Sequence, residues 1–433
     1  MSDTLTPSGL QSSAGLYGSC GVYQFDRNGA IFNPLDLNPY LLFDAESSMI
    51  GTLENPTLDL DPTKQESLDV ITATRAGTAT FVNLDGEIEI AQPNTVRVDN
   101  SLGYPAILIE PSATSLLPYS EDFESGNWEK VAVGTGSNPI VTPDYALSPD
   151  GTQNASRVQF DKGSGNASAD LSILRYNISI TNGLTVNKSV YLKSKTSDAY
   201  DLVLHDSSDG SGTNVKKITV TPEWQRFDVY GTAPGTSTGI SFGLRNINVT
   251  GVSNTADVLV WGAQLEAGSV STSYIPTSGS TVTRAADDLV ISGSDFDFYN
   301  QSEGTIYVES VPNDNTSESF LFDLSFGDAS TDRLNIFNVS GNQYVFLKTA
   351  GTTWTNNVIG SRPASGVFSR VAISYKTNDV RASLDGVNMA TDTSATISST
   401  LNKMTIGNRY QNPNYLNGRI RRLIFWPYSS DSL

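Results

Sequence analysis

Side chains able to do covalent or metal chemistry are scarce in this sequence. The 433 residues include one cysteine, Cys20, and one histidine, His205. A single cysteine excludes an intrachain disulfide. A zinc site built from several His and Cys ligands is excluded as well. A Ser-His-Asp triad would have to use His205, which lies in LVLHDSSDG with no nucleophile motif beside it. It reads as a solvated loop histidine. Glycoside hydrolysis needs two carboxylates, about 5–5.5 Å apart for retention or 6.5–9.5 Å for inversion. Two pairs have close spacing. Asp295 and Asp297 in SDFDFYN precede the first clear strand of their section and read as linker. Glu87 and Glu89 in LDGEIEI read as the solvent face of a hairpin, with Ile88 and Ile90 turned inward. Phosphate-binding loops and EF-hand loops are absent from the sequence. The clusters DSSDGSG (206–212) and PNDNTS (312–317) carry enough oxygens for calcium, but their composition is ordinary turn chemistry. No catalytic residue, metal ligand or cofactor is therefore assigned. Calcium is left open and is not predicted.

The aromatic residues offer a different chemistry. Trp224, Trp261 and Trp426 stand in strand-like patterns beside alternating apolar residues and read as core. Trp128 and Trp354 stand among Gly, Asn and Thr, as loop residues do. Exposed rings can pack on the C–H faces of sugars while neighbouring amides bind hydroxyls. The segments TTWTNN (352–357) and NRYQNPNY (408–415) have that composition. The glycan-contact candidates are Trp354, Asn356, Tyr410, Asn412, Tyr415 and Trp128. The plainer alternative is polar loops whose aromatics cover the edge of a sandwich.

These residues have to be positioned by β structure. Short runs rich in Val, Ile, Thr, Tyr and Phe alternate with Gly/Ser/Asn/Asp clusters, and long helical periodicity is missing. Strands are expected around 218–220, 226–230, 258–261, 304–310, 344–348 and 370–375. In the last, RVAISY, Val371, Ile373 and Tyr375 alternate with Arg370, Ala372 and Ser374, which predicts one buried face. The fold class is all-β, with tandem antiparallel sandwiches of jelly-roll type. Charged residues are 17% of the chain against a usual figure of about 25%, so the surface is polar through hydroxyls and amides. The net charge of −19 disfavours nucleic acid and anionic lipid as partners. No apolar run approaches a membrane span, and MSDTLTPSGL lacks the features of a signal peptide.

Four sections are distinguishable. Residues 1–60 are irregular and read as a segment that docks onto either the next domain or a partner, with an apolar knot at 40–43. Residues 61–118 form a small section whose Asp85-Gly86 step marks a hairpin. Residues 119–285 and 286–433 form two further β blocks. Thr74-Arg75-Ala76 and Thr283-Arg284-Ala285 both precede a new section; three residues are too few for a repeat, and the echo reads as similar junction chemistry.

The stretches LLPYSEDFESGNW (116–128), SPDGTQNASRV (148–158), TPEWQRFDVYGTA (221–233) and VLVWGAQLEAGSVSTSYIPTSGSTVTRAADD (258–288) resemble a module of tailed-bacteriophage structural proteins. That module is similar to the jelly-roll carbohydrate-binding modules. The last section resembles a concanavalin A/laminin G-type jelly roll through GTIYVES, FSRVAISYKTNDVRASLDGV and MTIGNRYQNPNYLNGRIRRLIFWP. The ending YSSDSL resembles the tail of such proteins but lacks its Glu, and no C-terminal chaperone or fibre repeat follows.

The resemblance implies a non-enzymatic virion protein of tail-fibre or head-fibre type, exposed on the particle and contacting host-surface glycan. Residues 1–60 would bind other virion proteins. Assembly would take place in the host cytoplasm. A homotrimer is the first expectation and a dimer the second. The alternative is a capsid decoration or head-fibre protein without a ligand. A glycan depolymerase is the third reading and requires a close carboxylate pair in a cleft.

Overall fold

The computed structural model describes residues 55–430, apart from 207–213, 234, 315–316, 327–330, 399 and 411–413, together with four two-residue strands between 24 and 52. The rest of the N-terminal section, including Cys20 and both ends of the 40–43 knot, lies outside the described residues. The described residues are 54% strand and 2% helix, arranged as antiparallel sheets. All six expected strand regions are strands, with somewhat wider bounds.

The first sandwich packs two five-stranded sheets face to face. One sheet has the order Glu129–Val133, Leu171–Ser179, Ser237–Arg245, Tyr200–Asp206 and Val215–Val220. The other has the order Ser137–Ala146, Ala155–Asp161, Thr255–Ala267, Thr185–Ser194 and Gln225–Thr232. Alternate residues fill the space between them, among them Val158, Phe160, Leu174, Tyr176, Leu192 and Phe242. His205 is in the strand Tyr200–Asp206 and is 2% exposed, so the solvated loop reading is corrected. The strand-like run before it continues through His205, and its Nδ1 lies 2.9 Å from the Asp206 carbonyl.

The second sandwich pairs an eight-stranded with a seven-stranded sheet. The larger runs Val387–Asp392, Asp379–Leu384, Ser369–Lys376, Glu303–Pro312, Gly418–Trp426, Ala106–Ile109 and Val98–Asp99, with Leu58–Leu60 also paired to Gly418–Trp426. The smaller runs Thr352–Ser361, Asn342–Thr349, Arg333–Val339, Ser319–Ser325, Lys403–Ile406, Asp288–Ser292 and Thr72–Thr74. Section 61–118 therefore does not stand alone. Its strands are two to four residues long, too short to bury a core, and half of them complete the sheets of the C-terminal sandwich. The first sandwich is inserted between the two sequence parts of the second. Its entry and exit strands, Ala113–Ser115 and Val282–Arg284, run antiparallel to each other.

The hairpin at Asp85-Gly86 joins Ala79–Val82 to Ile88–Ala91. Asn83 Oδ1 accepts from the Asp85 and Glu87 amides, and Gly86 takes a φ of 81°. Ile88 is buried, as expected, but Ile90 is 55% exposed because this small sheet covers only part of the neighbouring sandwich. The RVAISY strand is buried on both faces. Ala372 and Ser374 are covered as well as Val371 and Ile373. The reason at Ser374 is the C-terminal segment: its Oγ accepts from the Ser430 amide and lies 2.9 Å from Ser429 Oγ.

Five buried charges clamp the junction of the two sandwiches. Arg97 reaches Glu110 at 2.8 Å and also binds Asp287. Arg75 binds Asp287 at 2.8 Å, and Arg284 lies 3.5 Å from Glu110. Ser273, in the strap leaving the first sandwich, gives Glu110 both its amide and its hydroxyl at 2.7 Å. Burial alone would raise the Glu110 carboxyl, but Arg284 and Arg97 outweigh it and hold the group well below the usual carboxylate range. A carboxyl depressed in the folded state stabilises fully above its unfolded pKa and progressively less as pH falls towards the folded value. Glu110→Gln should thus cost about 3–5 kcal/mol near neutral pH, from stranding buried guanidinium charge. The gap from wild type should narrow on acidification below about pH 4. Denaturant midpoints of both proteins across pH check this, and a pH-independent gap would count against it.

Candidate functional site

The outward face of the seven-stranded sheet is where aromatic and polar side chains meet. Core residues of this sheet, Leu324, Leu334, Ile336, Val345 and Leu347, point to the eight-stranded sheet. The alternate residues face away. Phe320, Phe337 and Tyr344 form a stack across three adjacent strands. The centroid distances are 5.4 Å and 5.1 Å, with interplanar angles of 19° and 20°. Such parallel pairs add to the stability of neighbouring strands. Val358, 45% exposed, pairs with Tyr344 and extends this row to the edge strand.

The next row along the strands is Asp323, Asn335, Phe346 and Asn356, each directly opposite the next. Asn335 Nδ2 donates to Asp323 Oδ1 at 3.0 Å, and Arg333 Nε lies 3.2 Å from the same oxygen. Asp323 Oδ2 accepts from the Tyr410 amide at 3.3 Å. Burial pushes the Asp323 carboxyl up, against the pull of Arg333, Asn335 and the Tyr410 amide. Asp323 and Asn335 are buried, Phe346 is half-buried and Asn356 is exposed, so the row opens towards the edge strand.

Residues 408–410 and 414–416 lie at one side of this face. The Leu416 amide donates to the Gly407 carbonyl at 2.7 Å. Asp288 holds them twice, accepting from Asn408 Nδ2 and from the Tyr415 hydroxyl. Arg409 lies 5.7 Å from the Phe320 centroid, and Lys403 Nζ lies 3.5 Å from the Tyr410 centroid.

The sequence candidates divide on this geometry. Asn356 is on the second row, and Trp354, 37% exposed, lies two residues along the same edge strand in a register shift. Tyr410 borders the face. Tyr415 does not join them: it packs against the core and its hydroxyl is used on Asp288. Trp128 is corrected to a core residue. It is 3% exposed, 4.9 Å from Phe123 and 5.4 Å from Tyr176 by ring centroids, and its indole N–H donates to the Tyr119 carbonyl. Asn412 lies outside the described residues. Trp261 and Trp426 are core, and Trp224 is half-buried.

Phe320, Phe337, Tyr344 and Phe346 were missed by sequence reasoning, which looked for ligand contacts in loops. Their signal was present: aromatics occupy the non-core alternation of three consecutive strands, where polar residues are the rule for a solvated sheet face. The carboxylate pairs provide no cleft. Asp295 and Asp297 are exposed on either side of buried Phe296, and Glu87 and Glu89 are exposed on the hairpin. Among the described residues no group of three His, Cys, Asp or Glu could hold a metal ion. A cleft of about 430 Å³ at the sandwich junction, lined by Ser112, Thr114, Val270, Thr272, Asp314 and Asn417 among others, has no aromatic ring in its wall.

Residues 284–431 match the Laminin_G_3 family model, described as the concanavalin A-like lectin/glucanases superfamily. The match falls on the C-terminal sandwich, which is similar to that superfamily over this span. No curated protein matches the sequence. Among solved structures, the chain is 12% identical to the Ruminococcus gnavus IT-sialidase CBM40 bound to alpha2,3 sialyllactose, over 31% of this chain and 80% of that one, with a TM-score of 0.27. It is 12% identical to domain 4 of AbnA, a GH43 extracellular arabinanase from Geobacillus stearothermophilus in complex with arabinotriose, over 38% and 78%, with a TM-score of 0.28. It is 10% identical to the Caenorhabditis elegans galectin LEC-6, over 32% and 90%, with a TM-score of 0.25. At these TM-scores the three likenesses carry no argument.

The division of the tryptophans is directly measurable. Trp128→Ala should lower stability by about 3–5 kcal/mol through the cavity it leaves. Trp354→Ala should stay within about 0.5 kcal/mol of wild type. Chemical denaturation of the two variants decides, and equal losses would refute the assignment.

Proposed function

We propose that the chain binds glycan through the outward face of the seven-stranded sheet and performs no catalysis there. The observation that supports this most is the aromatic stack Phe320–Phe337–Tyr344 lying beside the row Asp323–Asn335–Phe346–Asn356. Exposed Trp354 and half-buried Tyr344 and Phe346 offer apolar surface for sugar C–H groups and exposed Asn356 offers an amide, while buried Phe320, Asp323 and Asn335 hold them in place from beneath. A rigid strand framework holds both, which keeps the ordering cost of binding low. The lectin side of the matched superfamily fits better than the glucanase side. The direct partners of Asp323 are an amide, a guanidinium and a backbone N–H, whereas a glycosidase would set a second carboxylate across from it.

We further take the chain to be a structural protein of a tailed-bacteriophage virion, exposed on the particle and assembled in the host cytoplasm. The support is the four stretches between 116 and 288 that resemble phage virion modules, together with an acidic, amide-rich composition. Residues 1–60 would contact other virion proteins, and the ligand would be host-surface polysaccharide. A homotrimer is the assembly we favour, because weak sugar contacts gain from several linked copies.

Binding of the full chain to an array of bacterial polysaccharides tests the glycan reading. A Trp354→Ala/Asn356→Ala variant should lose about tenfold or more in affinity while keeping its denaturation midpoint. Retained affinity in the variant would move the site elsewhere, and absence of binding to every glycan class would end the lectin reading. Antibody raised against the chain should decorate phage particles in electron micrographs. Labelling of no particle would refute the virion assignment.

A further inference from the structure

The outward face of the eight-stranded sheet carries a second constellation. Between Glu309 and Ser310 the register with Gly418–Trp426 shifts, so Arg422 pairs with Glu309 and Ile420 with Ser310. Arg421 falls in the bulge. Ile420 and Leu423 are in the core, and Arg421 and Arg422 both turn outward. Arg422 is neutralised by Asp59 and Asp61, and Arg419 by Asp99. Arg421 and Arg370 are held differently. They share one carboxylate, Glu309, at 3.4 and 3.5 Å, and that carboxylate already accepts the Tyr307 hydroxyl at 2.6 Å. Both contacts are longer than the usual range for a charge-assisted hydrogen bond.

Aromatic rings hold the two guanidiniums in place. Arg370 lies 4.6 Å and Arg421 5.8 Å from the Phe368 centroid, and Arg421 lies 5.2 Å from the Tyr104 centroid. Tyr104 and Phe368 themselves meet edge-on at 6.4 Å. Cation–π contact with these rings restricts where the two guanidiniums can move. Two cations against one anion is a local excess of positive charge in a chain whose net charge is −19. Both side chains are reachable, with exposures of 40% for Arg370 and 19% for Arg421.

We propose that Arg370 and Arg421 form an oxyanion site that takes the carboxylate or sulfate of an acidic saccharide. The site lies on the opposite face of the sandwich from the aromatic stack and stands whether or not that stack binds sugar. A small acidic group suits it better than a polyanion, because the surrounding negative chain repels extended negative charge.

Titration of the full chain with glucuronate, glucose and inorganic sulfate, read by calorimetry and by the arginine Nε–H signals in NMR, tests the proposal. Glucuronate should bind and shift the Arg370 and Arg421 signals, while glucose should leave them unmoved. Arg370→Gln/Arg421→Gln should weaken glucuronate binding about tenfold or more, through lost charge-assisted hydrogen bonds. Arg370→Lys/Arg421→Lys keeps the charge but not the fork and should restore only part. Neutral-glycan binding of the Gln variant and the denaturation midpoint of the charge-keeping Lys variant should match wild type, separating this site from the other face and from misfolding. Undiminished glucuronate affinity in the Gln variant, or no response to either anion, would overturn the site. A response to inorganic sulfate alone would overturn its saccharide ligand. Self-association of wild type that the Gln variant lacks would assign the arginines to acidic groups of a second copy and overturn the saccharide reading too.

Discussion

Three guanidiniums closed around two carboxylates, all out of contact with water, set the relation between the two sandwiches. Arg75, Arg97 and Glu110 come from the segment before the inserted sandwich, and Arg284 and Asp287 come from the segment after it. Each ion would be expensive to bury alone, so the cluster exists only when both segments are in place. The Glu110 amide binds Asp287 and the Asp287 amide binds the Glu110 carbonyl, so the backbones are joined as well as the charges. The aligned connectors Ala113–Ser115 and Val282–Arg284 continue this joint towards the first sandwich. Ser273 and Thr80, which donates to the Tyr274 carbonyl, extend it into the strap and the hairpin. The hairpin would otherwise be an isolated two-stranded unit, which is marginal in water.

That joint explains why the domain organisation was only partly legible. Strand existence and fold class follow from local alternation and turn residues, and these were readable at 218–220, 258–261 and 370–375. Insertion of one sandwich into another is a long-range fact. Thr72–Thr74 pairs with Asp288–Ser292, and Val98–Asp99 and Ala106–Ile109 complete a sheet whose other members lie beyond residue 300. No local pattern encodes those partners. The one trace was the echo of Thr74-Arg75-Ala76 in Thr283-Arg284-Ala285, and its two arginines do enter the same cluster. Similar junction chemistry was the correct reading of the echo, although nothing in three residues could say that both copies serve one junction.

The candidate site was legible in its edge and not in its floor. Trp354 and Asn356 stood out because they were read as loop residues; they lie instead on an exposed edge strand, where composition resembles that of a loop. Trp128 was misread for the related reason that Gly and Asn neighbours mark a turn but do not say where the side chain points. Its ring turns inward, into a cluster with Phe123, Tyr176 and Phe242. The floor residues were hidden by abundance. In SFLFDLS, aromatic and aliphatic residues fill both alternations, and periodicity alone cannot separate core Phe322 from outward Phe320. The register shift between Phe320 and Phe322 is what sends them to different faces.

The same device recurs at each outward feature of the C-terminal sandwich. A bulge between Leu347 and Lys348 presents Trp354, a bulge beside Phe320 presents the aromatic stack, and a bulge beside Glu309 presents Arg421. A regular strand gives one residue in two to each face, so a chain that must keep its core can add an outward side chain only by breaking the count. Each break leaves the flanking inward residues, Leu347, Phe322 and Ile420, in the core. Function is thus added without subtracting from the packing that holds the sheets together. Strands also hold such side chains more tightly than loops do. The orientation of the rings and guanidiniums placed this way is set by the register of the sheet beneath them.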